Sequence, residues 1–307
     1  MKKTIILTLT LSALFAGRSA WAADNGAVAS LSIPSDPVSM TMGRTSSFGN
    51  YAFAADNNMA AVALMGRTLD AGVSYASWNV FSDARHIPMA GAAFRSGRWG
   101  FAVSAGGHVY GTPFSIFDDA GTESGTFRPV DGHVTVGAAY KLGLGLAVGV
   151  SVKGVQSSIL PDHKATAFAG DIYAAWQAGG LLTATVGLCN LGTPVQYGSA
   201  SDSSRLPMHA KAGVNFRPIG GLQLAVEGDY LLNSGGVALN AAAQYTVLRI
   251  ATFRAGYHYS VDENAALPSY ASAGVGFRLF GIELNGTYLF ASDVLKDTFS
   301  VGINFSF

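Results

Sequence analysis

Charged side chains recur in stretches where apolar and polar residues otherwise alternate, and these side chains are the ones that could do chemistry. Their surroundings place them on a polar interior surface, which would suit a pore or a ligand site. Seven of them are candidate lumen residues: Lys153, Asp171, Glu227, Asp229, Arg254, His258 and Glu283. Because both signs are present, these groups can instead pair across the interior and hold the fold together. The residues leave both interpretations open.

Catalytic and metal-binding patterns are missing from the sequence. The histidines show no metal-ligand spacing, and no G-x-S-x-G motif marks a nucleophile. The run Asp118-Asp119-Ala120-Gly121-Thr122-Glu123 could bind Ca²⁺ through clustered oxygens, but a solvated acidic loop is the favoured interpretation. The sequence therefore predicts a protein that is not an enzyme, with no catalytic residue, no metal site and no cofactor.

Composition restricts the class of protein. The 307 residues carry 19 Lys plus Arg and 19 Asp plus Glu, so a basic surface for nucleic acid is not expected. Charged residues make up only 12 % and hydrophobic residues 49 %, which is typical of a membrane protein. Beyond the N-terminus, no apolar run reaches the length of a membrane-spanning helix. The hydrophobicity must therefore lie on every second residue of membrane-spanning strands.

The last ten residues, T-F-S-V-G-I-N-F-S-F, show this period of two most clearly. An apolar strand that ends the chain would aggregate in water, but in a bilayer it can close a barrel by pairing with the first strand. Similar alternation from residue 69 onward gives about fourteen strands, with spans that include 87–95 and 206–217. Short links alternate with mostly longer ones such as 111–129 and 191–205, as in outer-membrane barrels. The predicted fold class is all-β, a transmembrane antiparallel β-barrel with a small N-terminal plug.

The strands sort their side chains by parity. On 221–232, Leu224 and Val226 belong to the lipid-facing set, and Glu227 and Asp229 belong to the lumen-facing set. Charges should be confined to the lumen parity, because each would cost about 2–4 kcal/mol on the lipid face near the midplane. Aromatic residues gather near strand ends, as membrane girdles should. The girdle on the outer side is predicted to contain Tyr230, Tyr259, Tyr270 and Tyr288.

The N-terminus resembles a secretory signal. Residues 1–22 contain Lys2 and Lys3, an apolar stretch and an Ala20-Trp21-Ala22 cleavage site. We expect residues 23–68 to form a plug or periplasmic segment and residues 69–307 to form the barrel. The predicted location is the outer membrane, with its lipid as a partner.

Several short motifs resemble the PorV/PorQ family, FadL-like barrels of Bacteroidetes outer membranes, with a leaning towards the PorQ branch. They are Met42-Gly43 with Asp56 and Asn58-Met59-Ala60, the Lys153 strand followed by Ala169-Gly170-Asp171, Asn190-Leu191-Gly192 with Leu206-Pro207, Ala255-Gly256-Tyr257, and Tyr110-Gly111 with Asp119, Gly121, Gly125 and Phe127. Met59 stands where that family usually has proline. The resemblance implies a 14-stranded barrel with a plug that acts in type IX secretion and binds secreted cargo or other secretion-system proteins.

Two further functions stay open beside protein secretion and surface attachment. A FadL-like transporter of hydrophobic small molecules would need an apolar pocket in the lumen and a gap or kink in the barrel wall. The mostly polar lumen parity speaks mildly against it. A general porin would show steady ion conductance, which an N-terminal plug should suppress.

Overall fold

A computed structural model describes residues 27–34, 36–47, 50–81, 83–118, 121–161, 163–197, 203–261 and 266–307. The predicted signal peptide, residues 1–22, lies outside these ranges. The strands are β1 Leu69–Val80, β2 Asp83–Ser96, β3 Trp99–Val109, β4 Phe114–Phe117, β5 Glu123–Phe127, β6 Val130–Gly143, β7 Leu146–Leu160, β8 His163–Ala178, β9 Leu182–Gly192, β10 His209–Phe216, β11 Leu222–Leu231, β12 Val237–Val247, β13 Ala251–Ser260, β14 Tyr270–Leu279, β15 Ile282–Phe290 and β16 Phe299–Ser306.

Fourteen of the described strands close into one antiparallel barrel, which confirms the predicted fold class. Each strand pairs with its neighbour in the chain, except that β3 pairs with β6 across the separate β4–β5 hairpin. The C-terminal strand β16 closes the cylinder by pairing with β1, from Asp70 opposite Ser306 to Ser77 opposite Phe299. Closure leaves no unpaired sheet edge in the membrane. None of the helices in the described ranges has the length and apolar character needed to cross a membrane.

The side-chain parity agrees with the prediction. Val226 and Phe253 point outward and are 55 % and 53 % exposed, whereas Glu227 is buried in the lumen at 3 %. Tyr259 and Tyr288 are likewise exposed on the outer surface. The girdle prediction was wrong for Tyr270. This residue is fully buried, and its ring meets that of Trp78 edge-on, with 6.2 Å between the ring centroids. It begins β14 on the lumen-facing parity, so it packs inside the barrel and does not belong to the girdle.

The connections are short at one end of the barrel and mostly longer at the other. At the short-turn end, Leu248 and Arg249 both adopt positive φ, as a two-residue hairpin turn requires. At the long-loop end two predicted boundaries were wrong. Strand β2 begins at Asp83 rather than residue 87, and the region 111–129 contains the β4–β5 hairpin. Strands at this end continue beyond the apolar band, so their polar ends lack the membrane alternation on which the prediction depended.

The described residues before β1 lie inside the cylinder as short helical pieces. They are the 3-10 turns Ala29–Ser32, Tyr51–Phe53 and Met59–Leu64 and the α-helical turns Pro37–Thr41 and Ala54–Asn57. The side chain of Asp36 caps the first α-helical turn by accepting hydrogen bonds from the backbone N–H groups of Val38 and Ser39. Glycine in the wall lets this segment approach closely, because a Cβ at Gly149 would collide with the backbone of Ala60. The division at residue 68 between plug and barrel remains a proposal.

Candidate functional site

Lys153 and Asp171 form the first of three separate groups into which six of the seven candidate lumen residues fall. Their Nζ and Oδ2 atoms are 3.5 Å apart. Asn190 joins them: its side-chain oxygen accepts from Lys153 at 2.8 Å, and its backbone N–H donates to Asp171 at 2.7 Å. Asn190 has φ 57°, a left-handed conformation that asparagine tolerates. Adjacent strands are thus fixed together by a neutral, fully buried network.

Glu227 and Asp229 belong to the second group, on β11. Asp229 accepts a hydrogen bond from His209 at 2.8 Å and lies 3.4 Å from the guanidinium of Arg44. Lys211 lies between the two carboxylates, 3.7 Å from Glu227 and 3.9 Å from Asp229. The backbone N–H of Ser46 donates to Glu227 at 2.8 Å. These contacts tie the N-terminal segment to the barrel wall with two cations for two anions.

Arg254 and Glu283 form the third group, nearer the short-turn end. Arg254 donates to Glu283 at 2.9 Å and to Asn285 at 2.7 Å, and Arg278 donates to the second oxygen of the same carboxylate. His258 lies apart from this group, where its Nδ1 is 2.6 Å from the side-chain oxygen of Asn240. The seven candidates do not meet at one site. Most of them pair with neighbouring side chains. This pairing favours a structural role for the Lys153–Asp171 group and for the Glu227–Asp229 group.

Asp56, which was not among the seven candidates, anchors the N-terminal segment to β3 and β6. Its carboxylate accepts hydrogen bonds from Ser104 at 2.6 Å and Thr135 at 2.5 Å and lies 3.3 Å from His133. Burial by itself raises the pKa of Asp56, but the nearby His133 and Lys153 and the hydrogen bond from Ser104 outweigh it and hold the pKa well below its usual range. Asp56 is therefore an ionised anchor that lines a small polar cavity of about 60 Å³.

Replacing this anchor should loosen the segment. In Asp56→Ala, the hydroxyls of Ser104 and Thr135 lose their buried acceptor, at a cost of about 1–3 kcal/mol for each unsatisfied group. We expect larger and more frequent ion-conductance steps in planar bilayers than the unmodified barrel shows. Asp56→Asn keeps an acceptor oxygen and should stay near the unmodified level. Equal conductance in Asp56→Ala and the unmodified barrel would contradict the anchoring role.

The ladder between β2 and β3 is interrupted over two positions on each strand, and we call this break the notch. His86 pairs with Val109 and Met89 with Gly106, but the two intervening positions on each strand form no ladder bridges. Pro88 lies in the middle of the break, and it has no N–H to donate to a neighbouring strand. In this register Pro88 falls opposite Gly107. None of the seven candidate residues lies at the notch. The proline inside the predicted strand 87–95 was the signal in the sequence that could have indicated it.

A groove of about 940 Å³ lies over this notch. Residues of both parities line it: Val73, Pro88, Ala105 and Gly132 from the lipid face, and Met89, Gly106 and His133 from the lumen face. In a closed sheet these two sets face opposite sides. Gly106, Gly107 and Gly132 contribute no side-chain atoms here, so the wall is thin at this place. Met89 covers the inner side, since a Cβ on Gly106 would collide with its sulfur.

An apolar cluster fills the lumen from the long-loop end down to Met89. It is formed by Ile33, Met40, Ala52, Phe53, Ala76, Trp78, Ile87, Met89, Leu267, Tyr270, Leu289 and Leu295. Leu267 and Leu295 come from the loops after β13 and β15, and Ile87 and Met89 belong to the strand that borders the notch. Apolar side chains therefore run continuously from the outer loops to the thin part of the wall.

Several solved structures share this fold. The toluene transporter TbuX of Ralstonia pickettii is 16 % identical with a TM-score of 0.64, and the alignment covers 89 % of this chain and 98 % of that one. The monoaromatic hydrocarbon channel CymD is 14 % identical with a TM-score of 0.66, covering 89 % and 97 %. A FadL homologue of Pseudomonas aeruginosa is 13 % identical with a TM-score of 0.56, covering 90 % and 99 %.

These similarities establish a FadL-like barrel fold. No protein-family model matches the sequence, and no curated protein matches it either. TbuX is a transporter and CymD a channel. Within the described residues, no group of three or more His, Cys, Asp or Glu side chains is placed to hold a metal ion.

Proposed function

We propose that this chain is an outer-membrane channel for hydrophobic small molecules, with monoaromatic hydrocarbons as the first class to test. The observation that carries the proposal is the break in the β2–β3 ladder at Pro88, which lies beside the inner end of the apolar cluster. The likeness to structures described as toluene and monoaromatic hydrocarbon transporters supports the choice of ligand. An outer-membrane location follows from the same likeness.

The route runs through the apolar cluster and then sideways through the wall. A hydrophobic molecule gains nothing from the charged groups deeper in the lumen, because displacing their partners would leave buried charges unpaired. At the notch, movement of the flexible Met89 side chain would join the cluster to the groove on the lipid face. The molecule would then enter the membrane directly and avoid the polar groups deeper in the lumen.

Filling the groove from the lipid side should block this exit. At Gly107 an added Cβ would meet the carbonyl oxygen of Asp131 at 3.4 Å, an ordinary contact, so Gly107→Leu should fold. We expect uptake of radiolabelled toluene by cells that express Gly107→Leu to fall to the level of cells without the protein. The matched control is Gly228→Leu on the opposite wall, where an added Cβ meets no atom within 4 Å among those described.

The control should transport as the unmodified protein does. Undiminished uptake by Gly107→Leu, at equal amounts of folded barrel in the membrane, would contradict a lateral exit at this notch. Loss of uptake in both variants would point to a general effect of bulk on the lipid face.

A second candidate is protein binding at the cell surface, as the PorV/PorQ resemblance implies. The β4–β5 hairpin favours it, because Phe114 and Phe117 are 57 % and 61 % exposed at the long-loop end. A secretion component should co-purify with secreted cargo or surface-attachment proteins, and replacing both phenylalanines with serine should abolish the capture. A deletion strain with normal secretion would remove this candidate.

A further inference from the structure

A polar chamber of about 490 Å³ opens at the short-turn end of the barrel. Five arginines line it: Arg67, Arg217, Arg249, Arg254 and Arg278. Asp70 and Glu283 are the carboxylates among its described lining residues, which leaves a formal charge of +3. We propose that this arginine chamber is a binding site for a small oxyanion, a carboxylate or a phosphate, that enters from the periplasm.

The two carboxylates are already engaged. Both Arg254 and Arg278 donate to Glu283, so one negative charge serves two guanidinium groups. Arg67 pairs with Asp70 at 3.0 Å and donates to the hydroxyl of Ser306 at 2.6 Å. These contacts hold three of the arginines in place at the rim and floor of the chamber. They also use up its negative charge.

Arg217 and Arg249 carry the excess positive charge. Arg217 donates from Nε to the side-chain oxygen of Gln223 at 3.2 Å, a neutral acceptor. Within the described part of the chain, neither Arg217 nor Arg249 forms an ion pair with a carboxylate. Their guanidinium groups can therefore serve an anion without giving up an ion pair with a described carboxylate. Arginine presents a planar fork of donors that matches carboxylate and phosphate oxygens.

The excess is a local property of the chamber. The whole chain has equal numbers of acidic residues and of lysines plus arginines, and the Glu227 and Asp229 group balances two cations with two anions. A cluster of like charges in a partly enclosed space requires counter-ions. Its volume lies in the range of small-molecule sites, so the natural counter-ion is a small anion rather than a polymer.

The mouth of the chamber gives access to such a ligand. Arg278 has a side chain that is 46 % exposed, and Arg249 lies in the turn between β12 and β13. The chamber shares no lining residue with the apolar cluster or with the groove at the notch. Anion binding here is thus independent of hydrocarbon passage, and either one can fail without the other.

The test is calorimetric titration of the full barrel in a neutral detergent with inorganic pyrophosphate and, separately, with citrate. We expect at least one of them to bind with a Kd between about 1 μM and 1 mM at low salt. Binding of only one anion identifies the ligand as phosphate-like or carboxylate-like. The double variant Arg217→Gln/Arg249→Gln should weaken binding by at least about tenfold, because each lost charge-assisted fork removes a strong contact. A matched control is Arg98→Gln, which removes a cation from a turn at the same end but outside the chamber.

The control should bind within about twofold of the unmodified protein, as a surface charge outside the site contributes little. The double variant should keep its unfolding temperature without ligand, because neither arginine has an ion-pair partner to lose. No binding of either anion to the unmodified barrel would overturn the proposal. Equal weakening in Arg98→Gln and the double variant would also overturn it, since attraction would then be general to that end of the protein.

Discussion

Asp229→Ala should lower the free energy of unfolding of the barrel by about 3–5 kcal/mol, the cost of breaking a buried ion pair by removing one partner. Asp229 is buried and faces Arg44, Lys211 and His209. Without it, two buried cations share the single carboxylate of Glu227. The substitution also removes the ion pair between Arg44 and Asp229, which links the N-terminal segment to β11.

Thermal unfolding of the detergent-solubilised barrel, followed by circular dichroism and by the heat-dependent shift on a gel, measures this effect. Asp293→Ala is the matched control, because Asp293 is exposed in the loop before β16 and its loss should change stability by no more than about 0.5 kcal/mol. Asp229→Asn should be intermediate, since its amide oxygen can still accept from His209. If Asp229→Ala unfolds together with the control, the group is not a structural tie.

Two of the three charged groups explain why a lumen with so many ionisable residues need not be a polar pore. Lys153 with Asp171, and Lys211 and Arg44 with Glu227 and Asp229, use their charges on one another. The arginine chamber, by contrast, has a surplus of positive charge among its described lining residues. The ion pairs therefore favour a structural role for most of the lumen-facing charges, and the proposed apolar route lies above them.

The barrel itself could be predicted because its signal is local. Alternation within one strand, as in Leu224, Val226, Glu227 and Asp229, assigns each side chain to lipid or lumen without knowledge of any other strand. The same logic failed at Tyr270, where the strand begins and the aromatic residue belongs to the lumen parity. Girdle predictions near strand ends depend on the register of the first residue, which the sequence alone fixes poorly.

The notch and the arginine chamber could not be predicted, because both require register between strands. Pro88 was visible as an unusual strand residue, but only the pairing places Gly107 opposite it and Gly106 beneath Met89. Arg217, Arg249 and Arg278 lie near the ends of separate strands or in turns. Their convergence on one chamber follows from barrel closure, which joins residues that are far apart in the chain.

A reversible staple across the notch tests the central claim most directly. The register on either side of the break places Pro88 opposite Gly107 on the lipid side, and a disulfide forms there when the two strands approach to the spacing of a facing antiparallel pair. In Pro88→Cys/Gly107→Cys, oxidation should close the notch. Because Pro88→Cys also restores a backbone N–H, the single variant Pro88→Cys sets the level of uptake expected without the disulfide. The natural Cys189 is buried and should not interfere. The matched control is Val214→Cys/Val226→Cys, a lipid-facing pair in the intact β10–β11 ladder.

Uptake of radiolabelled toluene is then measured in cells before and after treatment with a reducing agent. We expect the oxidised notch staple to reduce uptake to the level of cells without the protein and reduction to return it to the level of the single variant Pro88→Cys. The control pair should transport in both states. Full uptake through the oxidised staple, with the disulfide verified on the same sample, would contradict lateral exit between β2 and β3.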